Sequence, residues 1–233
     1  ITVVRRAEML AELMRLKYGI AVAGTHGKTT TTSLVGAIMT EAGLDPTVIV
    51  GGRLRVSGTG ARLGNSDYMV VEADEFDRSF LSLFPILAVI TSIDRDHLDT
   101  YQDLDAIRDA FVAFASRIPF FGQVIVCADD PNVAALLPRL AERRVTTYGL
   151  GEECLLRAEA LDMSPDGTSF LVRHRVQGEL ARLTLPLAGL HNVRNALGAV
   201  GVALALGIPM PVVARAFAAF GGVHRRFERL GQV

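Results

Sequence analysis

The sequence predicts an α/β fold: a mostly parallel sheet with helices on both faces, extended by a small antiparallel β insertion. Three observations indicate it. Of the 233 residues, 50% are hydrophobic and 21% charged, which is enough apolar material for a sizeable core. Up to about residue 150, short β-branched runs alternate with longer helical ones. After Gly151 come short runs with partial polar alternation, separated by turn residues.

The strands of the first part are short apolar runs without polar alternation. Parallel strands that are covered on both faces lose this alternation, so these runs read as buried parallel strands. The predicted strands are 19–23, 48–50, 68–72, 87–91, 123–127 and 145–148.

The helices between them follow from apolar spacing and from their end signals. The first runs from Lys28 to Ala42 and stops at Gly43, a residue typical of helix ends. Apolar residues recur at helical spacing over 103–116, and a further helix is predicted over 131–143.

The sequence after Gly151 predicts a β meander followed by two helices. The strand-like runs are 154–162, 168–177 and 180–187, with turn residues at Ser164–Gly167 and Gln177–Gly178. Helices are predicted over 192–206 and 211–220. One α/β domain with a β insertion is the simplest division, and a separate β domain is the alternative.

Composition and targeting signals narrow the class of protein. A formal net charge of −1 argues against binding nucleic acid through bulk positive potential. The longest uncharged stretch, 195–214, is broken by Pro209 and Pro211, so no membrane span is expected. The first residues do not predict a secretory signal, and Cys127 and Cys154 are too few for a disulfide framework. We therefore expect a protein of the reducing cytoplasm.

A glycine-rich segment between the first predicted strand and helix is the strongest local signal. Glycines let the backbone approach a phosphate closely, N–H groups at the helix start bind its oxygens, and a lysine and a hydroxyl add charge and a Mg²⁺ ligand. The standard phosphate-loop pattern has a glycine where this chain has Val22. The alternative is an ordinary strand-to-helix turn. The candidate phosphate-binding residues are Gly24, Thr25, His26, Gly27, Lys28, Thr29 and Thr30.

Two further polar segments follow predicted strands. Val70–Asp77 carries four carboxylates, of which Glu72 is expected to face the same crevice as the glycine-rich loop, where a nucleotide-bound Mg²⁺ needs an oxygen ligand. In Ile90–Tyr101, His97 lies among three aspartates that could orient it for metal binding. The alternatives are a solvated acidic turn and a surface ion pair.

Taken in order, these segments resemble the central ATP-binding domain of the Mur ligases, which build the peptide of bacterial cell-wall precursors. Within that family the likeness is strongest to the alanine-adding enzymes, and it covers essentially the whole chain. The motifs that carry it are Ala23–Thr32, Glu72–Phe80, Asp96–Tyr101, Gly189–Ala196 and Gly222–Phe227.

The resemblance implies a P-loop NTPase-like domain that binds ATP and Mg²⁺. ATP would phosphorylate the carboxylate of UDP-N-acetylmuramate, and L-alanine would then attack the acyl phosphate to form an amide. Lys28 would contact the transferred phosphate. Thr29 and Glu72 match the ligands of a first Mg²⁺, and His97 matches the ligand of a second. The nucleotide-binding set would also include His191, Asn192 and Asn195 at adenine and ribose, with Arg226 in the last motif.

One departure from the wider family concerns a carbamylated lysine. Several Mur ligases carry it on the helix after the histidine motif, where this chain has Phe111–Phe114. The chain contains two lysines, Lys17 and Lys28, so this group cannot form after Lys28. The alanine-adding enzymes are similar in lacking it.

The resemblance also implies flanking domains, an N-terminal one for the UDP group and a C-terminal one that closes over ATP. The expected division is a lead-in at 1–18, an ATP-binding core at 19–150, the β meander at 151–188, helices that complete the domain at 189–222, and a link at 223–233. Without the flanking domains, we expect the chain to bind nucleotide weakly and not to ligate.

Three alternatives remain open at this point. Related enzymes are a muropeptide-recycling ligase and a folylpolyglutamate synthetase, and a different class is a non-catalytic nucleotide-binding module. The run Asp96–Tyr101 favours alanine addition over recycling, and the threonines after Lys28 argue against the folate enzyme. Retention of both candidate metal positions argues against a pure binding module.

Overall fold

The computed structural model describes residues 3–51, 60–76, 78–95 and 101–222. Over these ranges ten strands form one sheet, in the order β10-β9-β8-β7-β6-β5-β1-β4-β2-β3. The strands are β1 (Tyr18–Ala23), β2 (Thr47–Ile49), β3 (Ala61–Arg62), β4 (Tyr68–Glu72), β5 (Leu87–Ile90), β6 (Gln123–Cys127), β7 (Val145–Gly149), β8 (Leu156–Ser164), β9 (Gly167–His174) and β10 (Gly178–Leu185).

The sheet is parallel in its centre and antiparallel at both ends. Every pairing from β2 through β4, β1, β5, β6 and β7 to β8 is parallel. At one end β3 pairs antiparallel with β2, and at the other β8, β9 and β10 form an antiparallel meander. The predicted mostly parallel sheet with a small antiparallel part is confirmed. The meander strands are hydrogen-bonded to the same sheet through β7 and β8.

Alternating strand residues pack into two hydrophobic clusters, one on each face of the sheet. On β1, Ile20 and Val22 belong to one cluster, while Ala21 and Ala23 belong to the other. Because both faces are covered, apolar side chains occupy successive positions, which explains the unbroken apolar runs in the sequence.

The helices divide between the two faces. The first cluster includes residues of α2 (Lys28–Glu41), α5 (Leu190–Ala205) and α6 (Met210–Ala218), and the second includes residues of α1 (Arg6–Arg15), α3 (Leu104–Ala115) and α4 (Pro131–Ala134). The prediction of helices on both faces is therefore confirmed. The inner face of the meander also joins the first cluster, through residues such as Phe170 and Leu183.

The single helix predicted over 131–143 is wrong. The structure has the short helix α4 and then a separate 3-10 helix over Leu137–Leu140. Pro138 lies in this stretch, and a proline has no N–H to bond to the preceding turn and clashes with its carbonyl, so a continuous α-helix cannot pass through it.

Three elements of the described ranges have no counterpart in the prediction: helix α1, strand β3 and a 3-10 helix over Ser79–Ser82. Helix α1 occupies part of the stretch treated as a lead-in, and its buried contacts are made by Ala11 and Met14. Strand β3 is two residues long, too short to give a periodic signal.

The topology brings several loops to one edge of the sheet. Strands β1, β4, β5 and β6 are parallel neighbours, so the segments that follow them leave at their common carboxyl-terminal edge. In open α/β sheets ligands bind outside this edge. The glycine-rich segment follows β1, and the acidic segment follows β4.

Candidate functional site

The glycine-rich segment forms the connection between β1 and α2. Gly27 is the N-cap of α2 with a φ of 83° and no side-chain cap. A side chain at Gly24, whose φ is 131°, would overlap the Thr91 hydroxyl, and one at Gly27 would overlap the side-chain oxygen of Asn195. Both positions therefore require glycine. The first N–H groups of a helix have no partner within it, so the start of α2 can donate to an anion.

The segment after β5 holds this loop in place. The N–H of Thr25 donates to the Ser92 carbonyl (2.9 Å), and the N–H of His26 donates to the Ser92 hydroxyl (3.0 Å). The Thr91 hydroxyl donates to the His26 carbonyl (2.5 Å), and the N–H of Asp94 donates to the Thr25 hydroxyl (2.9 Å). These bonds fix the loop backbone by contacts outside the loop itself.

Lys28, the first residue of α2, forms a largely buried ion pair with Glu75. Its Nζ lies 2.8 Å from Glu75 Oε2 and 3.0 Å from Oε1, and it also donates to the Gly24 carbonyl at 2.7 Å. Glu75 is 2% exposed. Burial raises the pKa of the Glu75 carboxyl above its usual value, and the Lys28 charge opposes that rise. Sequence reasoning named the acidic run but did not single out Glu75.

Thr29 and Glu72 lie together beside Lys28. The Thr29 hydroxyl donates to Glu72 Oε1 (3.0 Å), and the N–H of Gly51 donates to Glu72 Oε2 (2.7 Å). A hydroxyl and a carboxylate are oxygen ligands of the type that Mg²⁺ prefers, so the two side chains fit such an ion. In the described ranges, no three His, Cys, Asp or Glu side chains form a metal-binding group. His97, the third predicted ligand, lies outside the described residues.

A cavity of about 750 Å³ opens beside the loop. Its walls come from the loop, from the segments after β5 and β6, and from the start of α5. The lining residues are His26, Gly27, Thr30, Thr91, Ser92, Cys127, Asp129, Asp130, Pro131, Tyr148, Leu187, His191, Asn192, Arg194 and Asn195. The predicted adenine and ribose residues of α5 therefore share one cavity with three of the candidate phosphate-binding residues, His26, Gly27 and Thr30.

The two asparagines of α5 are nearly buried. Asn192 donates from Nδ2 to the Ala188 carbonyl (2.8 Å), and Asn195 Nδ2 donates to Asn192 Oδ1 (3.3 Å). The Thr31 hydroxyl donates to Asn195 Oδ1 at 3.4 Å, which connects α2 to α5. Burial, followed by the nearby Arg194 charge, lowers the pKa of His191. A low pKa favours the neutral imidazole, which has one donor and one acceptor nitrogen.

Sequence reasoning also missed Asp129. This carboxylate accepts from the N–H of Leu150 (2.9 Å) and from Nε of Arg194 (2.7 Å), so it joins α5 to the end of β7 across the cavity wall. Asp129 lies two residues beyond the end of β6, so the strand-end rule that selected Glu72 could have found it.

The remaining predictions concern the carbamylated lysine, Arg226 and the absence of a membrane span. The helix position expected to lack a carbamylated lysine lies in α3, where Phe111 and Phe114 are fully buried and pack against Phe80 with ring centroids 5.2 and 5.1 Å apart. Arg226 and the link at 223–233 lie outside the described residues. In the part of the chain that the structure describes, no helix has the length and apolar character needed to span a bilayer.

Comparisons with known proteins identify the family of the chain. The model of the Mur ligase middle domain matches residues 22–203. The UDP-N-acetylmuramate--L-alanine ligase of Solidesulfovibrio magneticus is 55% identical over the whole chain, which spans 50% of that relative. The chain thus spans about half the length of the curated relatives it matches.

Solved structures show the same architecture. The UDP-N-acetylmuramate-alanine ligase of Thermotoga maritima superposes with a TM-score of 0.84 at 28% identity, covering 97% of this chain and 50% of that one. The UDP-N-acetylmuramate:L-alanyl-gamma-D-glutamyl-meso-diaminopimelate ligase from Neisseria meningitides gives 0.84 at 29% identity, covering 94% of this chain and 71% of that one. From its sequence, its fold and these matches, the chain belongs to the Mur ligase middle domain family.

Proposed function

We propose that this chain is the ATP-binding part of a ligase that joins L-alanine to UDP-N-acetylmuramate in the cytoplasm, during synthesis of peptidoglycan precursors. The observation that carries the proposal is the glycine-rich loop of Gly24 to Thr30, which places Lys28 and Thr29 beside the carboxylates of Glu75 and Glu72. The choice of alanine over a recycled peptide rests on curated relatives named as alanine ligases, which are 55% and 52% identical over the whole chain.

ATP would lie along the edge of the sheet with its phosphates on the loop and its base in the cavity. The backbone N–H groups at the start of α2 would donate to phosphate oxygens, and Lys28 would contact the phosphate that is transferred. His191, Asn192 and Asn195 would meet adenine and ribose, since an amide side chain presents both a donor and an acceptor. Arg226 is proposed as a further nucleotide contact.

Mg²⁺ would be held by Thr29 and Glu72, and a second ion by His97. When bound, the ions supply positive charge that offsets the phosphates. Lys28 adds a further charge in a place that is mostly shielded from water, where electrostatic stabilisation is stronger than in bulk solvent. The proposed reaction transfers the terminal phosphate of ATP to the substrate carboxylate and releases ADP. Attack by the amine of L-alanine then forms the amide and releases phosphate.

The proposed division keeps 19–150, 151–188 and 189–222 in one functional unit. It is supported by the hydrogen bonding of the meander to the main sheet and by its packing with α5 and α6. The substrate and the amino acid would be bound by flanking domains of the same polypeptide, as the resemblance implies.

The test is nucleotide binding with and without Mg²⁺, measured by calorimetry on the wild-type chain and on Lys28→Ala. The matched control is Lys17→Ala, which removes the other lysine of the chain. Lys17 lies just before β1, far along the strand from the loop, and donates to the Ser66 carbonyl. We expect Lys28→Ala to weaken Mg-ATP binding at least about tenfold, the loss of one bond to a charged group, and Lys17→Ala to leave it unchanged. Equal affinity in Lys28→Ala and wild type would refute the phosphate-loop assignment.

A further inference from the structure

The ammonium group of Lys28 has no spare donor for a phosphate. A lysine ammonium carries three N–H bonds. Nζ donates to the Gly24 carbonyl at 2.7 Å and to both oxygens of Glu75 at 2.8 and 3.0 Å, with the Thr25 carbonyl at 3.4 Å. A phosphate oxygen that binds Lys28 must therefore replace one of these partners.

Of these partners, the carboxylate of Glu75 is the one that a phosphate resembles, because it is negatively charged. Like a phosphate, the Glu75 carboxylate presents two anionic oxygens to the ammonium. The Gly24 carbonyl belongs to the loop backbone, which is fixed by the segment after β5. Glu75 is therefore the group with which an incoming phosphate competes.

The surrounding structure holds Glu75 in this position. Its backbone carbonyl accepts from the Tyr101 hydroxyl (2.7 Å) and from the N–H of Arg78 (3.1 Å). Tyr101 is 1% exposed, and the Arg78 guanidinium lies 4.9 Å from the centre of its ring. These two hydrogen bonds hold the backbone of Glu75. Glu75 thus has little freedom to follow Lys28 toward a ligand.

The local charges favour the same conclusion. Glu72 is hydrogen-bonded to Thr29, the residue next to Lys28, so a second carboxylate lies near the ion pair of Lys28 and Glu75. A polyphosphate that arrives without a divalent cation meets an excess of negative charge at this point.

We propose that Glu75 is a positioning residue that occupies Lys28 as an internal anion until a nucleotide phosphate takes its place. The proposal rests on the proposed function, because it assumes that the terminal phosphate binds Lys28. It follows that Glu75 lowers the affinity for nucleotides that need Lys28, and does so most in the absence of Mg²⁺.

The experiment compares ATP and AMP binding to wild type and Glu75→Gln in the presence of EDTA. Glutamine keeps the shape of the side chain and removes its charge. We expect Glu75→Gln to bind metal-free ATP about tenfold more tightly, the equivalent of one bond between charged groups. AMP affinity should stay the same, because its phosphate lies next to the ribose and does not reach Lys28. A merely structural role for Glu75 would not raise the affinity for one nucleotide alone.

Two controls isolate the effect. Glu159→Gln makes the same change in an ion pair of the meander, where Glu159 bonds Arg173 at 2.6 Å, and should leave both affinities unchanged. In a Lys28→Ala background, Glu75→Gln should raise ATP affinity much less than in wild type, because only the repulsion between Glu75 and the phosphates is then removed. If Glu75→Gln does not fold, Glu75→Asp keeps the charge but shortens the side chain by one methylene, and it should also raise ATP affinity.

The outcomes separate the two proposals. An unchanged or lower ATP affinity in the folded Glu75 variants, while Lys28→Ala still weakens binding, overturns the role of Glu75 and leaves the proposed function standing. An equal gain for AMP also overturns it. If Lys28→Ala does not weaken ATP binding, the proposed function fails first.

Discussion

The carboxylates of Glu72, the last residue of β4, and Glu75 have different surroundings although they lie three residues apart. Glu72 accepts from the Thr29 hydroxyl and from the backbone of Gly51, whereas Glu75 is buried against the ammonium of Lys28. The first arrangement leaves oxygen atoms beside a hydroxyl and fits a divalent cation. The second neutralises a charge inside the protein.

Thr29→Val tests the proposed metal position. Valine keeps the branched shape and removes the hydroxyl, so the variant loses one oxygen ligand. We expect the gain in ATP affinity on adding Mg²⁺ to fall about tenfold, since one polar contact to a charge is lost. Calorimetry with and without Mg²⁺ measures this gain.

The control is Thr40→Val at the other end of the same helix. The Thr40 hydroxyl donates to the Gly36 carbonyl within α2, away from the loop. The Mg²⁺ dependence should be that of wild type in this variant. A full Mg²⁺ effect in Thr29→Val would remove Thr29 from the proposed ligands.

The residues near the loop show what the sequence could predict. Glu72 was selected because it ends a predicted strand, and the structure brings it next to Thr29. Glu75 lies beyond the strand end, and its contacts include Lys28 and Tyr101, which are distant in the sequence. The local sequence does not indicate which carboxylate of an acidic run will be buried against a lysine. Only the tertiary structure therefore distinguishes Glu75 from Glu72.

At the level of elements, periodicity predicted most strands and helices because buried runs and helical spacing are local signals. The helix over 131–143 failed because Pro138 outweighs its apolar spacing. Helix α1 is mostly exposed and has two buried residues, so its apolar stripe is too narrow to stand out.

Helix α3 offers a test of an element boundary. Asp103 is its N-cap, and its side chain accepts from the N–H of Ala106 at 2.8 Å. Asp103→Ala should lower the free energy of unfolding by about 1 kcal/mol, the usual value of such a cap. Urea denaturation followed by circular dichroism measures the change.

Asp109→Ala is the matched control on the same helix. Asp109 pairs with Arg139, and both side chains are exposed, so this variant should change stability by less than about 0.5 kcal/mol. If the two variants lose the same stability, the assignment of the cap is wrong.

At the level of the molecule, one sheet runs from β3 to β10, and Phe170 of the meander is fully buried in the same cluster as residues of α2 and α5. This continuity predicts that the meander and the parallel part unfold together. Cys127 on β6 and Cys154 before β8 can report on it. Burial raises the pKa of Cys127 to about 12 and that of Cys154 to about 11, so both thiols are protonated and unreactive near neutral pH while the protein is folded.

Phe170→Ala should therefore lower the urea concentration at which each cysteine is half labelled, and by the same amount for both cysteines. Loss of a buried phenylalanine costs about 3–5 kcal/mol. Pulsed thiol labelling with mass spectrometry reads each cysteine separately. If Cys127 labelling stays at its wild-type midpoint while the meander opens, the meander is a separate folding unit.

The most direct measurement of the central claim is a crystal structure of the chain with Mg²⁺ and a non-hydrolysable ATP analogue. We expect phosphates on the backbone of residues 24–30, a phosphate oxygen on Lys28, and the base in the cavity beside His191 and Asn192. A nucleotide bound elsewhere, with the loop free of phosphate, would contradict it.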